Sequence, residues 1–176
     1  YSYIQASRAT GLNGEVLRQD MEKRLWQGSD NAKQEFHLQL AHLYTQVHQG
    51  KAKPDSQGVF EFIRLLNISQ RLYNQIDLSK ASEAEKNKLG LGAYSSKNNI
   101  SRPDMIYLLS SKIIGYDLKD VFNLYGLTTS STAQSSIAML NLPTAPLKFY
   151  AQPANRSNYL AEGTWINVPA NGVVAN

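Results

Sequence analysis

Apolar residues in the first half of the chain recur at three- and four-residue intervals, the period that turns one face of an α-helix toward a core. Tyr3, Ile4 and Ser7 keep that spacing until Gly11 to Gly14 stops it, and Val16, Leu17, Met21, Leu25 and Trp26 resume it over Glu15 to Trp26. Ser29 and Asp30 then offer an N-cap for a helix whose face carries Phe36, Leu40, Leu43, Tyr44 and Val47, with Gly50 at its end. Lys51 to Gly58, which contains Pro54, reads as a surface loop. Beyond it, Val59 to Ile76 is so apolar, with Phe60, Phe62, Ile63, Leu65, Leu66, Ile68, Leu72 and Tyr73, that it is expected at the centre of the core.

Helix-start signals organise the second half. Ser82 with Glu85, and Ser101 with Asp104, have the capping-box spacing, and Pro103 falls in the first turn of the second of these helices. That helix runs through Met105, Leu108, Leu109 and Ile113 to Gly115. Asp117 caps a short helix with Leu118, Val121, Phe122 and Tyr125, closed by Gly126, and the cluster from Thr128 to Thr132 precedes another over Ala133 to Leu140. After Pro143 the texture changes, and Leu147 to Tyr150 and Thr164 to Val168 read as short strands. The fold class expected is mainly α: a multi-helix orthogonal bundle over residues 1–142, followed by a loop-rich tail with short strands over 143–176. Leu40, Leu43, Phe62, Leu65, Leu66, Leu72, Leu109, Ile113 and Phe122 are its core candidates.

Composition narrows the chemistry. A chain of 176 residues is long enough for a real core, and the absence of Cys removes disulfides, thiolate metal sites and Cys nucleophiles. The net charge of +4 is scattered, and Lys51, Lys53, Lys86 and Lys88 lack interleaved aromatics, so they read as solvated surface and not as a nucleic-acid interface. No stretch is apolar for long enough to span a bilayer.

The three histidines, His37, His42 and His48, fall on one helix and are the first metal candidates. Zinc-binding helices place two His four residues apart, so that both imidazoles share a face. Here the spacings put His37 about 140° from His42 and His42 about 120° from His48, while His37 and His48 share a face about 16 Å apart. They are read as structural. Glu83 with Glu85, and Asp117 with Asp120, sit where a helix start already favours an acid, and Asp104 has the same explanation. No nucleophile elbow, phosphate loop or calcium loop is present. The sequons at Asn67, Asn99 and Asn155 carry little weight, and Asn67 is expected to be buried. No residue of the chain is therefore assigned a catalytic, cofactor-binding or metal-binding role.

One stretch does carry a resemblance. Ser111-Lys112-Ile113-Ile114-Gly115-Tyr116-Asp117-Leu118-Lys119-Asp120-Val121-Phe122-Asn123-Leu124-Tyr125-Gly126-Leu127 resembles the C-terminal end of the enhancin-like, mucin-targeting zinc metallopeptidases (gluzincins). In that family a helix ends in Gly, an Asn or Asp caps a short aromatic helix, and Trp-Gly closes it; here Tyr125 replaces the Trp and Val121 an aromatic. Tyr1-Ser2-Tyr3-Ile4-Gln5 is similar to the segment after the family's last zinc ligand, and Arg64 to Ile76 to its long helix, with Gln70, Leu72 and Tyr73 in familiar settings.

The resemblance touches most of residues 1–142. It implies the C-terminal helical lobe of a larger bacterial peptidase, secreted or at the cell surface, forming one wall of the substrate cleft. The zinc and its H-E-x-x-H motif would belong to an upstream catalytic segment of the same polypeptide, and the substrate would be an O-glycosylated, mucin-like glycoprotein. The competing reading is a free-standing α-helical binding or adaptor module without catalytic activity. An independent helical enzyme is disfavoured, because no ionisable residues converge.

Overall fold

The computed structural model describes residues 30–151 and 163–168. The helices expected over Tyr1 to Ala9 and Glu15 to Trp26, the cap at Ser29 and the sequon at Asn155 lie outside the described residues. Within them the chain is mainly helical: α1 (Asp30–Leu43), a π-helical turn (Tyr44–His48), α2 (Ser56–Gln75), α3 (Glu83–Asn87), α4 (Arg102–Ile114), α5 (Lys119–Leu124) and α6 (Ser131–Ala138). Two strands follow, β1 (Lys148–Ala151) and β2 (Thr164–Asn167), paired antiparallel with Tyr150 opposite Trp165. They occupy the region where short strands are expected from the sequence.

These residues form two compact units. One comprises the described residues up to Phe60, Leu124–Gly126 and those from Pro146 on; the other comprises Glu61–Asn123 and Leu127–Ala145. In the first, Phe36, Leu40, Ala41, Leu43 and Tyr44 are buried along α1 and the turn after it, with Phe149 and Tyr150 buried on β1. In the second, Ile106 to Leu109 and Ile114 line α4, with Phe122 and Ile137 also buried.

The caps explain where most helices begin and end. Ser82 and Glu85 bond reciprocally across the start of α3, satisfying two free backbone donors. Ser101 Oγ accepts from Asp104 N at α4, but Asp104 does not close a capping box: its carboxylate is buried and accepts from Ser130 N at 2.9 Å, tying α4 to the start of α6. Gly115 ends α4 at φ 79° and Gly126 follows α5 at φ 72°, left-handed conformations in which any side chain is strained.

Several expectations are corrected. The helix from Ser29 does not run evenly to Gly50; after Leu43 it widens into the π turn, with Gln49 N–H donating to Tyr44 O, five residues back. The next helix starts at Ser56 and not at Val59, because Asp55 Oδ1 accepts from Gly58 N at 2.7 Å and so caps it. Finally, α2 is not central to the core: Val59, Phe62 and Leu66 are buried, but Phe60 is 70% exposed and Leu72 47%. Asn67, on the same helix, is exposed and not buried. Of the core candidates, Leu40, Leu43, Phe62, Leu66, Leu109 and Phe122 are buried, while Leu65 and Ile113 are only half-buried.

Gly58 of α2 lies against side chains of the π turn and of Gln49 just after it. A Cβ there would strike Thr45 Oγ1 and stand 2.8 Å from Thr45 Cγ2 and 2.9 Å from Gln49 Oε1. Thr45 is fully buried and donates to Ala41 O at 3.0 Å, so it has little room to yield. Ala is worth about 1 kcal/mol over Gly in a helix, whereas overpacking a filled site costs about 1 to 3 kcal/mol. Gly58→Ala is therefore expected to be destabilising by about 1 kcal/mol in urea titration. A stabilised variant would show that Thr45 simply rotates aside.

Candidate functional site

In the first unit, His42 is 1% exposed, its ring edge-on to Tyr150 at 5.3 Å between centroids. Burial pulls its pKa down to about 4, so the imidazole is neutral at physiological pH. Beside it, Gln39 is buried and pairs with the backbone of β1: Gln39 Nε2 donates to Tyr150 O at 3.1 Å and Tyr150 N donates to Gln39 Oε1 at 2.9 Å. The Tyr150 ring also tilts against Trp165 at 5.1 Å and covers Gly163, where a Cβ would stand about an ångström inside van der Waals contact. This cluster joins α1 to the hairpin by shape and hydrogen bonding and presents no nucleophile, acid or base to solvent.

The other two histidines do not join it. His37 is half-buried, edge-on to Phe36, and His48 is exposed, stacked on Tyr44 with centroids 4.9 Å apart. Among the described residues, no three His, Cys, Asp or Glu side chains come close enough to hold a metal ion. The described side chains therefore do not make a zinc site, which needs three or four N, O or S donors within about 2.3 Å.

The carboxylates of the second unit are likewise engaged in structure. Asp117 Oδ1 accepts from Tyr107 Oη at 2.7 Å and from Lys119 N at 2.9 Å, while the Asp117 backbone bonds to Pro143 and Ala145. Burial, and then the Asp117 carboxylate, push the Tyr107 hydroxyl well above its ordinary pKa, which keeps it a donor at any working pH. Glu83, Glu85 and Asp120 lie in the first turns of their helices, where the sequence places them as capping acids. Lys97 Nζ caps the other end of α2, donating to Tyr73 O and Asn74 O at 3.1 Å each.

No protein-family model matches the chain, and no curated protein does. Solved structures do. The IMPa metallopeptidase from Pseudomonas aeruginosa is similar over 84% of this chain, with a TM-score of 0.62 and 24% identity. The structure of IMPa from Pseudomonas aeruginosa in complex with an O-glycopeptide is similar over 85%, with a TM-score of 0.63 and 23% identity. An IMPa metallopeptidase in complex with T-antigen gives 0.62 and 23% over 85%. The chain has the fold of one segment of that metallopeptidase. It spans 17% of the length of those chains.

The stretch that carries the sequence resemblance forms the end of α4, the whole of α5 and the turn after it. α4 ends at Gly115, Asp117 holds the entry to α5, and Leu127 N–H returns to Phe122 O to close the turn at Gly126. Phe122 packs edge-on against Tyr107 at 5.5 Å. Tyr125, at the place where the family has Trp, is 1% exposed and edge-on to Phe36 at 4.9 Å, so it supplies a buried aromatic there. Val121 is also buried. The stretch that resembles the segment after the last zinc ligand, Tyr1 to Gln5, lies outside the described residues.

Among those residues no helix is long and apolar enough to cross a membrane.

Proposed function

We propose that the chain is the C-terminal helical subdomain of a secreted zinc metallopeptidase acting on O-glycosylated, mucin-like proteins. In this reading residues 1–142 form the lobe and 143–176 its loop-rich tail. The lobe forms one wall of the substrate cleft, and the zinc, its ligands and the general base come from an upstream segment of the same polypeptide. The observation that carries the reading is the likeness in fold, over 84 to 85% of the chain, to a metallopeptidase seen with an O-glycopeptide and with T-antigen. A division of labour agrees with the side chains present: a buried neutral His42, capping carboxylates and a hydroxyl locked to Asp117 build a scaffold, while hydrolysis needs a metal with an open position and a base beside it.

The test uses the full-length gene product and the 176-residue chain in parallel. Zinc by plasma mass spectrometry is expected at about one per full-length molecule and at none in the shorter chain. Cleavage of an O-glycopeptide, followed by mass spectrometry, is expected only in the first. Zinc at one per 176-residue chain would overturn the division of labour. A full-length product without a zinc motif and without cleavage would leave a helical binding module as the better account.

A further inference from the structure

Helix α2 carries two apolar stripes, and the unit to which most of it belongs covers only one. Phe62 and Leu66 are buried, and Val59 continues the same side. Leu65, Ile68, Leu72 and Ile76 form a second line, at three- and four-residue spacing, about 100° further round the helix. Ile68 is 39% exposed and Leu72 47%, with Leu65 and Ile76 half-buried beside them. Ile68 and Leu72 are two of the six large apolar side chains exposed among the described residues, while Phe60 and Ile63 are exposed on other faces of the same helix. A contiguous line of four apolar residues along one face, unlike side chains exposed singly, marks a surface that a partner covers.

The spacing and flanking charges define the partner. A line at three- and four-residue intervals, about 16 Å from Leu65 to Ile76, matches the seam between two packed helices and not the period of a strand. Arg64 and Arg71 flank it on one side, Arg64 already paired with Glu61 at 2.8 Å and Arg71 exposed. In an antiparallel pair of two copies, that flank would face itself and oppose like charges, so the charge pattern favours a different helix with an acidic edge.

We propose that this stripe seats an amphipathic helix from the remainder of the parent polypeptide. The inference rests on the reading of the chain as one lobe of a longer peptidase, and it is supported by the solved structures in which the matching segment makes up 17% of the chain. Packing there would fix α2, and with it this lobe, against the segment that supplies the catalytic residues.

The experiment measures thiol accessibility in the full-length gene product. Leu72→Cys is expected to react with a maleimide at least about ten-fold more slowly than Glu83→Cys, an exposed control on α3, with labelled peptides quantified by mass spectrometry. Ile68→Glu, introduced into the Leu72→Cys protein, is expected to abolish that protection while far-ultraviolet circular dichroism stays unchanged. Should Ile68→Glu unfold the protein, Ile68→Ala with the same reagent replaces it. Equal reactivity at the two thiols overturns the proposal. So does protection that disappears on dilution as light scattering shows a dimer parting, because the occupant is then a second copy. Protection in a protein that cleaves no glycopeptide keeps the docked helix and removes only the peptidase reading.

Discussion

Replacing Gln39 by Leu is expected to cost the fold about 2 to 6 kcal/mol, because it strips the partners from two buried backbone groups at once. Gln39 is 5% exposed and acts as a one-residue strand: its carboxamide accepts from Tyr150 N–H and donates to Tyr150 C=O, at 2.9 and 3.1 Å, on the side of β1 that β2 does not cover. Leaving one buried donor or acceptor unpaired costs about 1 to 3 kcal/mol, and here both lose their partner together. Leu preserves the volume, so the loss measures the hydrogen bonds and not a cavity. Gln39→Glu is expected to be at least as harmful, since a carboxylate cannot donate to the carbonyl and brings a charge into a buried site. Urea denaturation checks both. A change below about 1 kcal/mol for Gln39→Leu would mean that water replaces the carboxamide, and the hairpin would not depend on this pair.

Local signals explain what was legible in the sequence. Ser82 with Glu85, Ser101 before Asp104, Gly115 and Gly126 act within four residues of themselves, so spacing alone locates the ends of α3, α4 and α5. The short strands were legible for the same reason. The Gln39 to Tyr150 pair spans 111 positions and the Asp104 to Ser130 bond 26, and neither has a local signature. Asp104 shows the limit most plainly: at a helix start an acid needs no further explanation, and its tie to α6 can be seen only in three dimensions. Gly58 misled in the opposite direction. Gly next to a Pro-containing loop suggests a break, but here it lies inside the first turn of α2 because Thr45 leaves no space for a Cβ.

The long apolar segment from Val59 to Ile76 shows a different limit. Hydrophobic residues on nearly every side of a helix indicate that it is covered, but not by which part of the molecule. Among the described residues Phe62 and Leu66 are buried, while Ile68 and Leu72 are partly exposed. The sequence therefore shows how apolar the helix is, and not how deeply each of its faces is buried. The candidate site is a separate matter: the sequence singles out no catalytic set, and among the described residues no three His, Cys, Asp or Glu side chains come close enough to hold a metal ion. What remains to argue function is the likeness in fold to one segment of a metallopeptidase.

Acidification provides a test of the packing around α1. His42 titrates near 6.5 when solvated and at about 4 in the fold, where burial disfavours the imidazolium. A base with a depressed pKa contributes its full stability above pH 6.5, because both states are then neutral; as pH falls toward 4 the unfolded chain takes up a proton that the folded one refuses, so stability is lost across that window. Each unit of pKa difference is worth about 1.4 kcal/mol, so the loss should reach roughly 2 kcal/mol by pH 5 and about 3 by pH 4. Carboxylates held low by hydrogen bonds, such as Asp55 with Lys51 and Gly58, act in a lower window, losing their stabilisation only as pH falls below the ordinary carboxylate value of 3.8. Glu61 and Glu85, held below their ordinary value of 4.5 by hydrogen bonds, act below about pH 5, so urea midpoints measured from pH 8 down to pH 5 isolate His42. His42→Leu should flatten the curve between pH 6.5 and 5, keeping the hydrophobic contact with Tyr150 while removing the proton site. A slope that survives His42→Leu would place the titrating group elsewhere and would mean that His42 is solvated when the protein breathes.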